Sequence, residues 1–243
     1  MRIKAHNKGF GLIEIMIALV LGLVLVLGIT QIFASSRQTS MVQDASARLQ
    51  EDARYVLTRM TQELRMAGMF GCLSLASGSV TNVPVAFDNP ISWDAPNATL
   101  SIITSNATQA VSQTSNADWT LTTDCRSGGN VVVGAAPAAG QIALPIRQIE
   151  YKLDAAEGVL QVRNSGAGAF EPLIGNVKSL DIQFGVAASA GDTYVSGNYV
   201  APATVGNPAL IRSVRIAMVL EDENQRTADQ EYTVVAALRN RLL

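Results

Sequence analysis

The chain has 243 residues, of which 48% are hydrophobic and 16% charged, with a formal net charge of -2. That length and composition are enough for a sizeable core and argue against a disordered chain, and a near-neutral balance without a basic stripe argues against nucleic acid as partner. The only histidine is His6, so loss of a short N-terminal segment would remove the usual general base and metal ligand, and with it Ser-His-Asp, Cys-His and His-zinc chemistry.

The chain opens with Met1 to Gly9, basic at Arg2, Lys4 and Lys8 and without an acidic residue. An apolar run follows, in which Ile15 to Ser36 carries no charge. As a helix this stretch reaches roughly 33 Å, enough to cross the hydrocarbon core of a bilayer once. Basic residues ahead of the span predict a cytoplasmic N-terminus and export of everything after Arg37. The run is longer than the apolar region of an ordinary secretory signal, and Ile32-Phe33-Ala34 matches a small-x-small cleavage site poorly.

Glu14 is out of place at the edge of such a span, because a carboxylate entering the membrane costs free energy and calls for a partner. A cut after Gly9 would make Phe10 a free amine one turn away. In a bundle of staggered helices the carboxylate of one subunit can then pair with the amine of the next, strengthened by the low dielectric. The alternative is that Glu14 merely caps the first turn of an uncleaved anchor.

Lys8-Gly9-Phe10-Gly11-Leu12-Ile13-Glu14 with the apolar run behind it resembles the class III signal of type IV prepilins and type II secretion pseudopilins. The resemblance implies that a membrane prepilin peptidase cuts between Gly9 and Phe10, that Phe10 is N-methylated, and that Glu14 guides assembly and register. It also implies an inner-membrane, single-pass intermediate with a periplasmic C-terminal region.

Gln43 to Ala67 contains neither Pro nor Gly, and Ala45, Leu49, Ala53, Val56, Met60, Leu64 and Ala67 recur at helical spacing. The opposite face, with Arg48, Glu51, Asp52, Arg59, Glu63 and Arg65, reads as solvated. One helix from Phe10 to Ala67 would reach roughly 87 Å. Many major pilins carry a proline in the hydrophobic half, whereas the first proline here is Pro84; whether this helix melts on assembly is open, with Gly22 and Gly28 as weaker softening points. The glycines at 68 and 71 end the pattern.

Residues 74–130 read as long loops over a modest sheet, with strand-like pieces at Leu100-Ile103 and Trp119-Thr122. The later third predicts strands at Asn130-Val133, Gln141-Ile146, Ile149-Leu153, Val159-Arg163, Val177-Val186, Ile211-Leu220 and Glu231-Ala236, with a hairpin loop at residues 154–158. In Ser213 to Leu220, Val214, Ile216 and Met218 fall on one face and Arg215 on the other, as in a half-buried antiparallel sheet. The expected fold class is α+β and pilin-like: a long N-terminal α-helix packed on an antiparallel β-sheet domain. The expected division is a leader at 1–9, a hydrophobic helix half at 10–36, an amphipathic half at 37–71 and an exported β-rich domain at 72–243.

Cys72 and Cys125 are the only cysteines, and in an exported domain they most simply form a disulfide; two separate buried thiols are the alternative. Their spacing excludes a CxxC site. Asp118, Asp124 and Asp192 lack the spacing of an EF-hand loop, so no metal is expected, nor any other cofactor, and no nucleophile elbow or Ser-x-x-Lys is present.

The runs Arg65 to Cys72 and Val177 to Val186, with the Leu238-Arg239-Asn240-Arg241 ending, resemble PilW-type minor pilins. That resemblance implies a low-abundance, non-enzymatic subunit that joins other minor pilins and the major pilin through its N-terminal helix and primes pilus assembly. It further implies a place at or near the tip, where a tip adhesin often accompanies such subunits. A minor pseudopilin of a type II secretion system and a bitopic envelope enzyme or sensor are the competing readings.

Overall fold

The computed structural model describes residues 9, 11–72, 78–105, 117–134 and 136–239. The leader residues 1–8, Phe10 and the Asn240-Arg241 part of the C-terminal ending lie outside them. The chain forms two compact units, one ending at Ala47 and the other beginning at Arg48.

A single helix, α1 (Leu12–Arg65), contains both the apolar and the amphipathic halves. From Gly11 to Met41 every described residue is exposed. In the second unit the expected stripe is buried: Leu49, Ala53, Val56, Met60, Leu64 and Ala67 are at most 3% exposed, and Ala45 is buried as well. The helix stops where Gly68 takes a φ of +74°, a left-handed exit that glycine adopts at little cost. The Gly68 N–H donates to Ile103 O at 2.9 Å, which seats this exit on the sheet.

Among the described residues eleven strands follow. An eight-stranded sheet is built from β1 (Val80–Thr81), β2 (Ile91–Asp94), β3 (Thr99–Ser105), β4 (Trp119–Thr123), β5 (Gly129–Val132), β6 (Ile142–Asp154), β7 (Val159–Arg163) and β8 (Glu171–Ile174). Its order is β1-β5-β4-β6-β3-β2, with β7 joined to β6 and β8 to β7. The three-stranded sheet runs β11 (Gln230–Ala237), β10 (Ile211–Leu220), β9 (Val177–Val186). All pairings are antiparallel except β1 with β5.

The expected α+β plan is the observed one, with three corrections. The β-region holds two sheets rather than one. The stretch at 74–130, read as long loops over a modest sheet, holds β3 and β4 where the strand-like pieces at 100–103 and 119–122 are expected, and adds β1 and β2, short strands that the surrounding Ser, Thr and Asn disguise. The runs Gln141-Ile146 and Ile149-Leu153 are one strand, since the polar pair Arg147-Gln148 stays in the ladder opposite Thr104 and Ile103. The strands expected at 159–163, 177–186 and 211–220 have those limits in the fold, and the 154–158 hairpin closes the Asp154–Val159 pair.

Strand β6 organises the larger sheet. One edge pairs with β3; the other pairs with β4 through residues 142–146 and then with β7 through residues 150–154. At the changeover Asp118 closes the gap. Its carboxylate accepts from Gln148 N at 2.7 Å, Ser165 Oγ at 2.8 Å and Gly166 N at 2.9 Å.

The main core joins the helix to both sheets: Val56, Met60 and Leu64 meet Ile102, Ile149 and Tyr151 of the larger sheet and Ile182, Val214 and Ile216 of the smaller. A second cluster of Phe70, Phe87, Ile103, Leu121, Val131 and Ile146 lies beside the helix exit, with Phe70 and Phe87 stacked at 4.2 Å between centroids.

Candidate functional site

The N-terminal segment is built from the start of α1 outward. Gly9 is exposed; the backbone N–H groups of Glu14 and Ile15 donate to Gly11 O at 3.0 and 3.2 Å, forming the first turn. Glu14 therefore sits in that turn, where the positive end of the helix dipole favours a carboxylate by roughly 0.3–1 kcal/mol. The apolar side chains on either side of it have no partner in the described part of the chain: Leu12 is 79% exposed and Phe33 69%. Burying each such side chain contributes about 1.5–3 kcal/mol, so this helix half is made for a lipid or protein environment. It is long and apolar enough to cross a membrane.

In the second unit, Cys72 and Cys125 form a disulfide with Cα atoms 5.5 Å apart, across a separation of 53 residues. It ties the segment leaving α1 to the turn after β4. That turn is ordered by Asp124, whose carboxylate accepts from Arg126 N at 2.8 Å and Ser127 N at 2.9 Å. The Ser127 hydroxyl and these backbone donors hold the Asp124 carboxyl well below the usual carboxylate range.

Helix and sheet are also joined by a polar contact that the sequence pattern hid. Glu63, expected on a solvated face, is 7% exposed. Its carboxylate accepts from the Tyr151 hydroxyl and from Arg59 Nε at 3.4 Å, and Arg59 also donates to Asn164 Oδ1 at 3.1 Å. Burial, reinforced by the Glu63 charge, raises the Tyr151 phenol far above its ordinary pKa, so it stays a donor at any physiological pH. Of the other charges expected on that face, Arg48, Glu51 and Arg65 are exposed, while Asp52 and Arg59 are half-buried. The only signal for Glu63 was its position between Met60 and Leu64, next to the stripe.

The three aspartates weighed for calcium each serve a local turn or strand junction, and Asp192 accepts from Ser189 N at 2.9 Å. Among the described residues no group of three or more His, Cys, Asp or Glu side chains is placed to hold a metal.

Residues 4–30, which contain Gly9, Phe10 and Glu14, match the prokaryotic N-terminal methylation motif. Among solved structures the chain is similar to a type IV-like pilin from Thermus thermophilus, at 10% identity and a TM-score of 0.39, over 81% of this chain and 99% of that one. No curated protein matches the chain. The motif and the exposed apolar helix together define a chain with a prokaryotic N-terminal methylation motif on a helix long and apolar enough to cross a membrane.

Proposed function

We propose that this chain is a minor pilin of PilW type that helps initiate type IV pilus assembly and sits at or near the filament tip with other minor pilins. The observation that carries the reading is an apolar helix half exposed on every side, largely covered by the methylation motif and interrupted by one carboxylate, Glu14. A prepilin peptidase cuts after Gly9, and Phe10 becomes the methylated terminus. The helix is first a single membrane span, with the β-rich domain in the periplasm, and then part of a filament core. There the Glu14 carboxylate pairs with the Phe10 amine of a neighbouring subunit and fixes the register, as buried opposite charges do when nothing else satisfies them. Other minor pilins and the major pilin are the partners along this helix, and a tip adhesin is the partner beyond it.

Mass spectrometry of the N-terminus of protein taken from native membranes tests the reading. N-methyl-Phe10 is the expected terminus, and an intact Met1 would sink it. Recovery of the processed protein in sheared pilus fractions with other minor pilins is the second expected result; recovery only with secretion-system components would move it to the pseudopilins.

A further inference from the structure

The face of the larger sheet turned away from α1 carries two polar rows across neighbouring strands. Ser92, Ser101, Glu150 and Arg163 stand opposite one another in register on β2, β3, β6 and β7. In the next row Asp94, Thr99 and Lys152 do the same. Alternation explains the arrangement: Leu100 and Tyr151 between them, and Ile91 and Val162 next to them, are in the core. The rows floor a cavity of about 400 Å³ with Phe170 at its side, within the range of small-ligand sites.

The floor is pre-ordered. Gln148 Nε2 donates to Ser101 Oγ and to Glu150 Oε1, each at 2.9 Å. Arg163 Nε donates to Glu150 Oε2 at 2.6 Å, and the Arg163 guanidinium lies 4.5 Å from the Phe170 ring centre. Asn97 Nδ2 donates to Asp94 Oδ2 at 2.6 Å. Two carboxylates and two cations balance, so the site has no net charge to attract an ion. What it offers is a dense set of hydroxyl, amide and carboxylate groups held in place, beside an aromatic ring. Adjacent hydroxyls on a rigid ring satisfy such a set, because each both donates and accepts, and the aromatic flank takes the ring's apolar edge.

We infer that this cavity on the outer face of β2, β3, β6 and β7 is a binding site for a neutral saccharide. Ser92, Ser101 and Gln148 supply its hydrogen bonds and Phe170 its packing surface. The inference does not depend on the assembly role, since it concerns only the β-rich domain.

Saturation-transfer NMR on the full chain in a zwitterionic, sugar-free detergent tests it, with methyl α-glucoside, methyl β-galactoside, N-acetylglucosamine and lactose as neutral probes and glucuronate and N-acetylneuraminate as charged ones. At least one neutral probe is expected to bind. Ser92→Leu, which puts bulk on the floor from an exposed strand position, and Phe170→Ala should each weaken it roughly tenfold. Tyr194→Ala, at an exposed position outside the cavity, should not. The Phe170 ring resonances of the unmutated protein should shift on titration, which keeps the test decisive if either variant folds poorly. No signal from any neutral probe, preference for the charged probes, or binding that leaves Phe170 unmoved would overturn the assignment.

Discussion

The Tyr151 hydroxyl donates to the Glu63 carboxylate across the interface between α1 and β6. Both residues are buried, and Arg59 completes the carboxylate's shell while reaching Asn164 beyond β7. A helix held mainly by an apolar stripe, which tolerates sliding, thereby gains a polar anchor on the sheet besides the Gly68 N–H to Ile103 O bond at its exit. Tyr151→Phe leaves a buried carboxylate short of one donor, which costs about 1–3 kcal/mol. The thermal midpoint should fall by roughly 2–10 °C, measured by circular dichroism on the purified chain. An unchanged midpoint would mean that the contact contributes nothing.

Replacing Gly9 with leucine should block cleavage. The variant should accumulate in the inner membrane at precursor mass on an immunoblot, and processing at wild-type levels would place the cut elsewhere.

Glu14→Ala should be cleaved normally but lose its place among its partners. Co-purification of other minor pilins with the tagged protein is the readout. Recovery equal to wild type would reject the pairing of Glu14 with a neighbour's amine.

Reduction of the Cys72–Cys125 bridge should destabilise the β-rich domain by ~4 kcal/mol, the chain-entropy value for a loop of that size. The midpoint should drop by roughly 8–16 °C in a reducing buffer. A Cys72→Ser, Cys125→Ser double variant should melt like the reduced protein and not respond to reductant.

Acid should act through Asp222. Arg226 donates to its carboxylate from Nε at 2.9 Å and from a terminal nitrogen at 2.8 Å, and this pairing holds the Asp222 carboxyl well below its usual value. A lowered folded-state pKa gives stability that is present above the unfolded value of about 3.9 and is lost as pH falls below it. Asp222→Asn should therefore melt below wild type at pH 7, and the gap should narrow steadily as pH falls below about 4. A gap independent of pH would show that the charge is not the cause.

The sequence was most legible where a pattern repeats. The uncharged run, the stripe from Leu49 to Ala67 and the β-branched strands at 159–163, 177–186 and 211–220 each follow one period long enough to read. Between residues 80 and 94 the strands are only two and four residues long, so β1 and β2 were lost among turn-like residues, while the apolar centres of β3 and β4 stood out. Glu63 was misread because a charge beside an apolar stripe looks solvated until a partner such as Tyr151, 88 residues away, is known. The outer polar rows depend on strand register, which no local pattern specifies. The disulfide was readable from export and a count of two.

The bridge has a mechanical side. A pull along α1 is taken first by the buried stripe from Leu49 to Leu64, and four residues past Gly68 the chain is covalently fastened to the turn between β4 and β5. Were that packing to yield, the bridge would pass the tension to a neighbouring pair of strands. A chain wired in this way can be dragged by its stem without being unravelled from it.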